Sequence, residues 1–200
     1  MDDGWVDSPF RTKGVLYLGT QTFFQENVPK GIEAVAEQLP AGRLREFVVQ
    51  KFLAGGQYEV MVVPALIAAE ARAMRTTLDR YLLDRTRWQA KKDINGVYRI
   101  LLKLTSPEAV VVRLPKVITQ MFNFGAPTVE MLGPKKAQML VTGIPAALVP
   151  WLQFGFRVYC ETAVELAGGK AAAYTTLTPT EEAPKDGFPM QSLRGTISWT

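Results

Sequence analysis

The chain is 200 residues long, 48% hydrophobic and 21% charged, enough to bury a core without disulfide or metal staples. Twenty-three basic against nineteen acidic residues leave a net charge of +4, too small an excess for a nucleic-acid footprint unless it gathers on one face. No apolar run approaches the roughly 18 to 20 residues that cross a bilayer, and the acidic start Met1-Asp2-Asp3-Gly4-Trp5 is unlike a secretory signal, so a chain that neither spans a membrane nor is exported is expected.

The expectation is therefore one cytoplasmic domain over residues 1–200, with 1–13 and 179–190 as its candidate flexible segments. After the polar lead, Val15 to Phe24 is rich in aliphatic, aromatic and Thr residues and reads as a strand. Pro29 suits the first turn of a helix over 29–39, closed by Pro40 and Gly42. A second helix over 43–53 aligns Leu44, Phe47, Val48 and Phe52 before Gly55-Gly56. Tyr58 to Val63 fits either a short strand or the approach to the next helix.

From Pro64 to about Trp88, Leu66, Ala69, Ala73, Leu78 and Leu82 recur at helical spacing without an internal Gly or Pro, which predicts the longest helix of the chain. Residues 70–93 carry seven positive and four negative charges, a net +3. Arg75 with Asp79 and Arg80 with Asp84 stand four apart, the spacing of supporting pairs on a solvated helix face, so nucleic-acid binding through this stretch is the weaker reading. Val97 to Leu104 reads as a short apolar helix. Ser106-Pro107-Glu108 then combines a hydroxyl cap, a proline whose missing N–H costs nothing, and a carboxylate near the positive helix end. Pro115 is expected to kink or divide that helix before Val117, Ile118, Met121 and Phe122.

Past Gly125 the period changes. Thr128 to Leu132 and Lys135 to Thr142 read as a hairpin turned at Gly133-Pro134, with Ala137, Met139 and Val141 on one face. A helix over 147–167 aligns Val149, Leu152, Phe156, Tyr159, Ala163 and Ala167 on a stripe wide enough to include Cys160. Lys170 to Thr178 and Gln191 to Trp199 read as two more strands, separated by a polar loop from Pro179 to Pro189. The fold class is thus α+β: a helical N-terminal two-thirds packed on a C-terminal antiparallel sheet with strand-strand-helix-strand-strand order.

The chain has no histidine and one cysteine, which removes Ser-His-Asp and Cys-His catalysis, His-ligated zinc or haem, and four-Cys zinc. Neither GxxxxGK[ST] nor GxGxxG occurs. No catalytic group and no cofactor are expected. Cys160 reads as a small core residue, and Glu161 and Glu165 as solvated surface. Trp151, Phe154, Phe156 and Tyr159 crowd two turns of the 147–167 helix with Gly155 among them, so the helix carries apolar groups on two faces. It is either buried between layers or lines an apolar pocket.

The strings Gly96-Val-Tyr-Arg-Ile-Leu-Leu-Lys-Leu-Thr-Ser-Pro-Glu, Arg113-Leu-Pro, Phe122-Asn-Phe-Gly and Gly143-Ile-Pro resemble a paralogous domain family expanded in myxobacteria and other deltaproteobacteria. Its closing order of two strands, a helix and two strands is similar to the superfamily of haem nitric-oxide sensors, vinyl-reductase-type small-molecule domains and acyl-enclosing vesicle-tethering subunits. The chain departs from the haem branch in lacking His and from the vinyl-reductase branch in lacking clustered C-terminal cysteines. The resemblance implies a pocket between the 147–167 helix and the terminal sheet. Its candidate lining is Phe122, Phe124, Met139, Trp151, Phe154, Phe156, Tyr159 and Cys160.

Two kinds of function follow as expectations. The first is a non-enzymatic domain that binds a small apolar ligand or serves as a regulatory module, with a homodimer or another protein as partner. The alternatives are an enzyme using Asp, Glu, Tyr or Lys in a cleft, or a weak nucleic-acid binder through residues 70–93.

Overall fold

The computed structural model describes residues 5–96, 106–175 and 177–200. It divides into two compact units, Met1–Arg85 and Thr86–Thr200. Together they are of the expected α+β class, with seven α-helices and a five-stranded antiparallel sheet among the described residues. None of these helices is long and apolar enough to cross a membrane.

The first unit opens on β1 (Arg11–Lys13), paired antiparallel with β2 (Gln57–Glu59) in the register Thr12↔Tyr58. Val15 to Phe24 is not a strand but most of helix α1 (Val15–Asn27). Its β-favouring composition yields to packing: Tyr17 and Phe24, two helical turns apart, are both buried. Between them Gln21, one turn after Tyr17, sends its side-chain amide to the Val48 and Gln50 carbonyls at 3.0 and 2.9 Å.

The helix expected over 29–39 shortens to α2 (Glu33–Ala36), and the next is α3 (Arg43–Val49), with Leu44, Phe47 and Val48 buried as expected. Phe52 is buried beyond the end of α3, where it stacks on Tyr17 at 4.8 Å and meets Tyr58 edge-on at 4.9 Å. This aromatic group is the core under the β1–β2 ribbon.

The long helix expected over 64–88 is two helices, α4 (Val63–Ala73) and α5 (Leu78–Asn95). The break needs neither Gly nor Pro. Arg75 takes a left-handed φ of 52°, and the Thr77 hydroxyl accepts the Arg80 N–H at 3.4 Å, a cap that starts α5. Arg80 and Asp84 make the expected pair at 2.6 Å, whereas Arg75 and Asp79 fall on either side of the break. Glu70, Arg85 and Asp93 are buried, so residues 70–93 do not form one solvated charged face.

In the second unit, the expected Val97–Leu104 helix lies outside the described residues. Helix α6 (Pro107–Met121) starts as its sequence predicts, with the Ser106 hydroxyl accepting the Ala109 N–H at 3.2 Å. Pro115 sits within it without dividing it. Strands β3 (Ala126–Gly133) and β4 (Lys136–Pro145) form the expected hairpin, each longer than its apolar core suggested. A 3₁₀ turn (Ala146–Leu148) leads into α7 (Val149–Leu166).

The expected strand over Lys170–Thr178 reduces to β5 (Ala173–Tyr174), and the expected loop over Pro179–Pro189 is mostly strand: β6 (Thr178–Lys185) turns directly into β7 (Phe188–Ser198). Asp186 and Gly187, both at positive φ, make the two-residue turn that suits a hairpin. Strand β7 pairs with β4 on one side and with β5 and β6 in succession on the other, giving β3–β4–β7–β5/β6. Pro127 lies in the edge strand β3, and Pro179 and Pro184 in β6. On the inner face Ala137, Met139 and Val141 are buried as expected, with Leu193 and Ile197 of β7 beside them.

Candidate functional site

Helix α7 positions most of the candidate residues. It packs on α6 and on strands β5 and β7, so apolar side chains are wanted on two sides. Leu152, Phe156, Cys160 and Ala163 are buried on the predicted stripe; Val158, Thr162 and Val164 are buried off it. Trp151, Phe154 and Tyr159 are half-buried.

Three of the eight candidates come together. Phe122, at the end of α6, meets the Trp151 ring edge-on at 6.0 Å and lies 5.1 Å from Phe124, which leads into β3. Met139, Phe156 and Cys160 are packed interior. Tyr159 is turned to another partner that the sequence did not reveal: its hydroxyl donates to one Asp93 carboxylate oxygen, while the Gln89 side chain donates to the other. Gln89 and Asp93 are one turn apart on α5 and both buried, so the Tyr159 ring is held at its polar tip.

Trp151, Gly155 and Tyr159 stand in one row, each four residues from the next, about 6 Å along the axis. Nothing lies within 4 Å of the position a Cβ on Gly155 would occupy. The missing side chain therefore leaves an open notch in this row, with Trp151 one turn before it and Tyr159 one turn after. A mid-helix glycine costs about 1 kcal/mol relative to Ala, and at Gly155 no close contact demands it.

Cys160 is no nucleophile in this setting. Burial, and secondarily the Glu161 carboxylate, push its thiol well above the usual range, so the thiolate is disfavoured. The Tyr174 phenol is raised for the same first reason, burial, and then by Cys160. Glu161, expected to be solvated, instead accepts the Tyr174 N–H at 3.0 Å and pairs with Arg157 at 3.3 Å, fastening β5 to the helix; Glu165 is exposed as expected.

Two buried acids in the first unit are the other titratable features. The Glu59 carboxylate accepts Ser8 N (2.8 Å), Ser8 Oγ (2.6 Å), Val60 N (2.9 Å), Met61 N (2.9 Å) and Arg11 Nη1 (2.8 Å). Glu70 accepts the Tyr81 hydroxyl at 2.6 Å at the wall of a narrow crevice shared with Tyr17, Thr20, Gln21, Ile32, Val48, Phe52 and Leu66, with no interior room for a water molecule. Both acids are engaged by the protein itself. Among the described residues no group of three His, Cys, Asp or Glu side chains could hold a metal ion.

No protein-family model matches the chain, and no curated protein matches it. Solved structures do. An Fe(II) unliganded H-NOX protein from K. algicida is 14% identical, with 94% of this chain and 96% of that chain covered at a TM-score of 0.57. A point mutant of T. Tengcongensis H-NOX is 12% identical, covering 94% and 97% at 0.61. A structure concerned with haem redox potential and protein-induced porphyrin distortion is 13% identical, covering 93% and 99% at 0.62. The chain thus has the H-NOX fold, in agreement with the architectural likeness to the haem nitric-oxide sensors; at these identities the likeness establishes the fold alone.

Haem held by a proximal histidine does not fit this chain. There is no histidine to ligate it. The one cysteine and the buried phenols Tyr17, Tyr81 and Tyr174 are all held protonated by burial. Tyr159 already donates to Asp93.

Proposed function

We propose that this chain is a non-enzymatic, cytoplasmic sensor or regulatory domain that binds a small apolar molecule against α7. The observation that carries the reading is the notch over Gly155, flanked by Trp151 and by a Tyr159 ring fixed through Asp93. In this reading Phe122 and Phe124 extend the aromatic surface from Trp151, and Phe154, Met139, Phe156 and Cys160 are its further candidate residues. A flat or extended apolar group buries its surface there without needing a metal or a charged partner. The H-NOX fold supports a binding role over a catalytic one, because solved neighbours of that fold are described by the distortion and redox potential of a bound haem, and the fold is retained here without a histidine.

The test is native mass spectrometry and solvent extraction of the purified chain, followed by titration with a fatty acid and a flat aromatic probe read by tryptophan fluorescence. A bound apolar species is expected, lost in Gly155→Leu, which fills the notch, and in Trp151→Ala. If Gly155→Leu binds as the parent chain does, the notch is not the site.

A further inference from the structure

The end of the sheet that carries the β3–β4 turn exposes apolar and basic side chains together. Met131 and Leu132 are 37% and 46% exposed at the tip of the hairpin, where large apolar side chains ordinarily find cover. Pro134, Lys135 and Lys136 follow at once and are exposed. The tip is held out stiffly: Lys135 turns the chain at φ 58°, and its carbonyl accepts the Trp199 N–H at 3.1 Å, tying the turn to the continuation of β7.

A third lysine joins the same end. Thr200, the residue after Trp199, exchanges two backbone hydrogen bonds with Lys170, at 2.8 and 2.9 Å. Lys135 and Lys170 therefore flank the end of β7, about 10 Å apart at two strand spacings. Glu130 on β3 and Glu165 on the last turn of α7 are the acidic side chains nearest along these elements. Lys135, Lys136 and Lys170 outnumber them.

We infer that this end of the sheet is a peripheral docking surface for an anionic lipid bilayer, with Met131 and Leu132 entering the interface and the three lysines facing the headgroups. The charge complementarity and the exposed apolar pair point to the same occupant. An apolar tip flanked by lysines combines the two signals, apolar insertion and basic attraction, that reversible membrane binding requires. The inference is independent of the notch over Gly155 and of what binds there.

Co-sedimentation of the full chain with vesicles of phosphatidylcholine alone, or with 30% phosphatidylserine, tests it at low and moderate salt. Binding is expected to the anionic vesicles and to weaken with salt. Lys135→Glu with Lys136→Glu is expected to reduce it at least about tenfold, as is Met131→Ser with Leu132→Ser, while Val112→Ser, an exposed apolar residue on α6, leaves it unchanged. All these positions are exposed, so thermal melting should confirm that the fold is kept. Equal sedimentation with neutral and anionic vesicles, or tip variants that bind like the parent, overturns the inference. A dimer seen by light scattering that the tip variants dissociate, with no vesicle binding, also overturns it by assigning the tip to a second copy of the chain.

Discussion

Tyr81 on α5 donates its hydroxyl to the carboxylate of Glu70 on α4 across 2.6 Å, inside a core that leaves Glu70 only 4% exposed. Burial raises the Glu70 pKa above its ordinary value against the opposing pull of Tyr81, Arg85 and Thr20. The folded state thus holds this proton more tightly than the unfolded chain. Its contribution to stability is fully present below the unfolded pKa and is lost as the pH rises through the folded one.

Urea unfolding from pH 4.5 to 8 should accordingly show Glu70→Gln gaining on the parent chain as the pH rises. Tyr81→Phe should cost about 1–3 kcal/mol at neutral pH, because it strips a donor from a buried acceptor. A difference between Glu70→Gln and the parent that does not change with pH would mean that Glu70 titrates normally.

Glu59 holds the segment before β1 in place. Its five donors come from Ser8, Arg11, Val60 and Met61. Glu59→Ala leaves buried N–H groups with no acceptor and should cost at least about 3 kcal/mol, whereas Ser8→Ala removes one hydroxyl and should cost about 1 kcal/mol. Chemical denaturation of the two variants checks the ratio.

Gly195 on β7 lies under the Tyr174 ring. A Cβ there would stand 2.3 Å from Tyr174 Cε1 and 2.8 Å from Leu177 Cδ2, and Tyr174 has little freedom, since its N–H is held by Glu161. Gly195→Ala should destabilise by about 1–3 kcal/mol as an overpacked core site. Near-ultraviolet circular dichroism should report the displaced tyrosine.

Cys160 is 2% exposed, and burial disfavours its thiolate. A thiol reagent at pH 8 should leave the native protein unlabelled over the time in which unfolded chain reacts with one equivalent. Fast labelling of the native state would show that α7 opens.

The elements that read correctly from sequence were those set by neighbours in the chain. Ser106-Pro107-Glu108 starts α6 because its cap is closed by Ala109, three residues on. The alternation of Ala137, Met139 and Val141 needed only the period of a strand. Where distant residues decided, the reading failed. Val15 to Phe24 has strand composition, yet it is helical because Val48 and Gln50 receive Gln21 and the aromatic rings of Phe47 and Phe52 receive Tyr17.

Two local signals were present and outweighed. Thr77 is an ordinary helix cap, hidden by the apolar period that runs through it. Asp186-Gly187 is a strong hairpin turn, hidden among prolines and charges. At the candidate site, the crowding of aromatics on α7 was visible, but the contact of Phe122 with Trp151 joins residues 29 positions apart. The Asp93 partner of Tyr159 lies 66 positions away, and neither link has a local signature.

The prolines in β3 and β6 bear on how this protein behaves at high concentration. Neither of the two long outer strands, β3 and β6, can offer an unbroken ladder of N–H donors, since Pro127 interrupts one and Pro179 and Pro184 the other. A stray chain that tries to extend the sheet sideways along β3 or β6 meets a missing donor, so the covalent backbone itself disfavours growth into fibrils there.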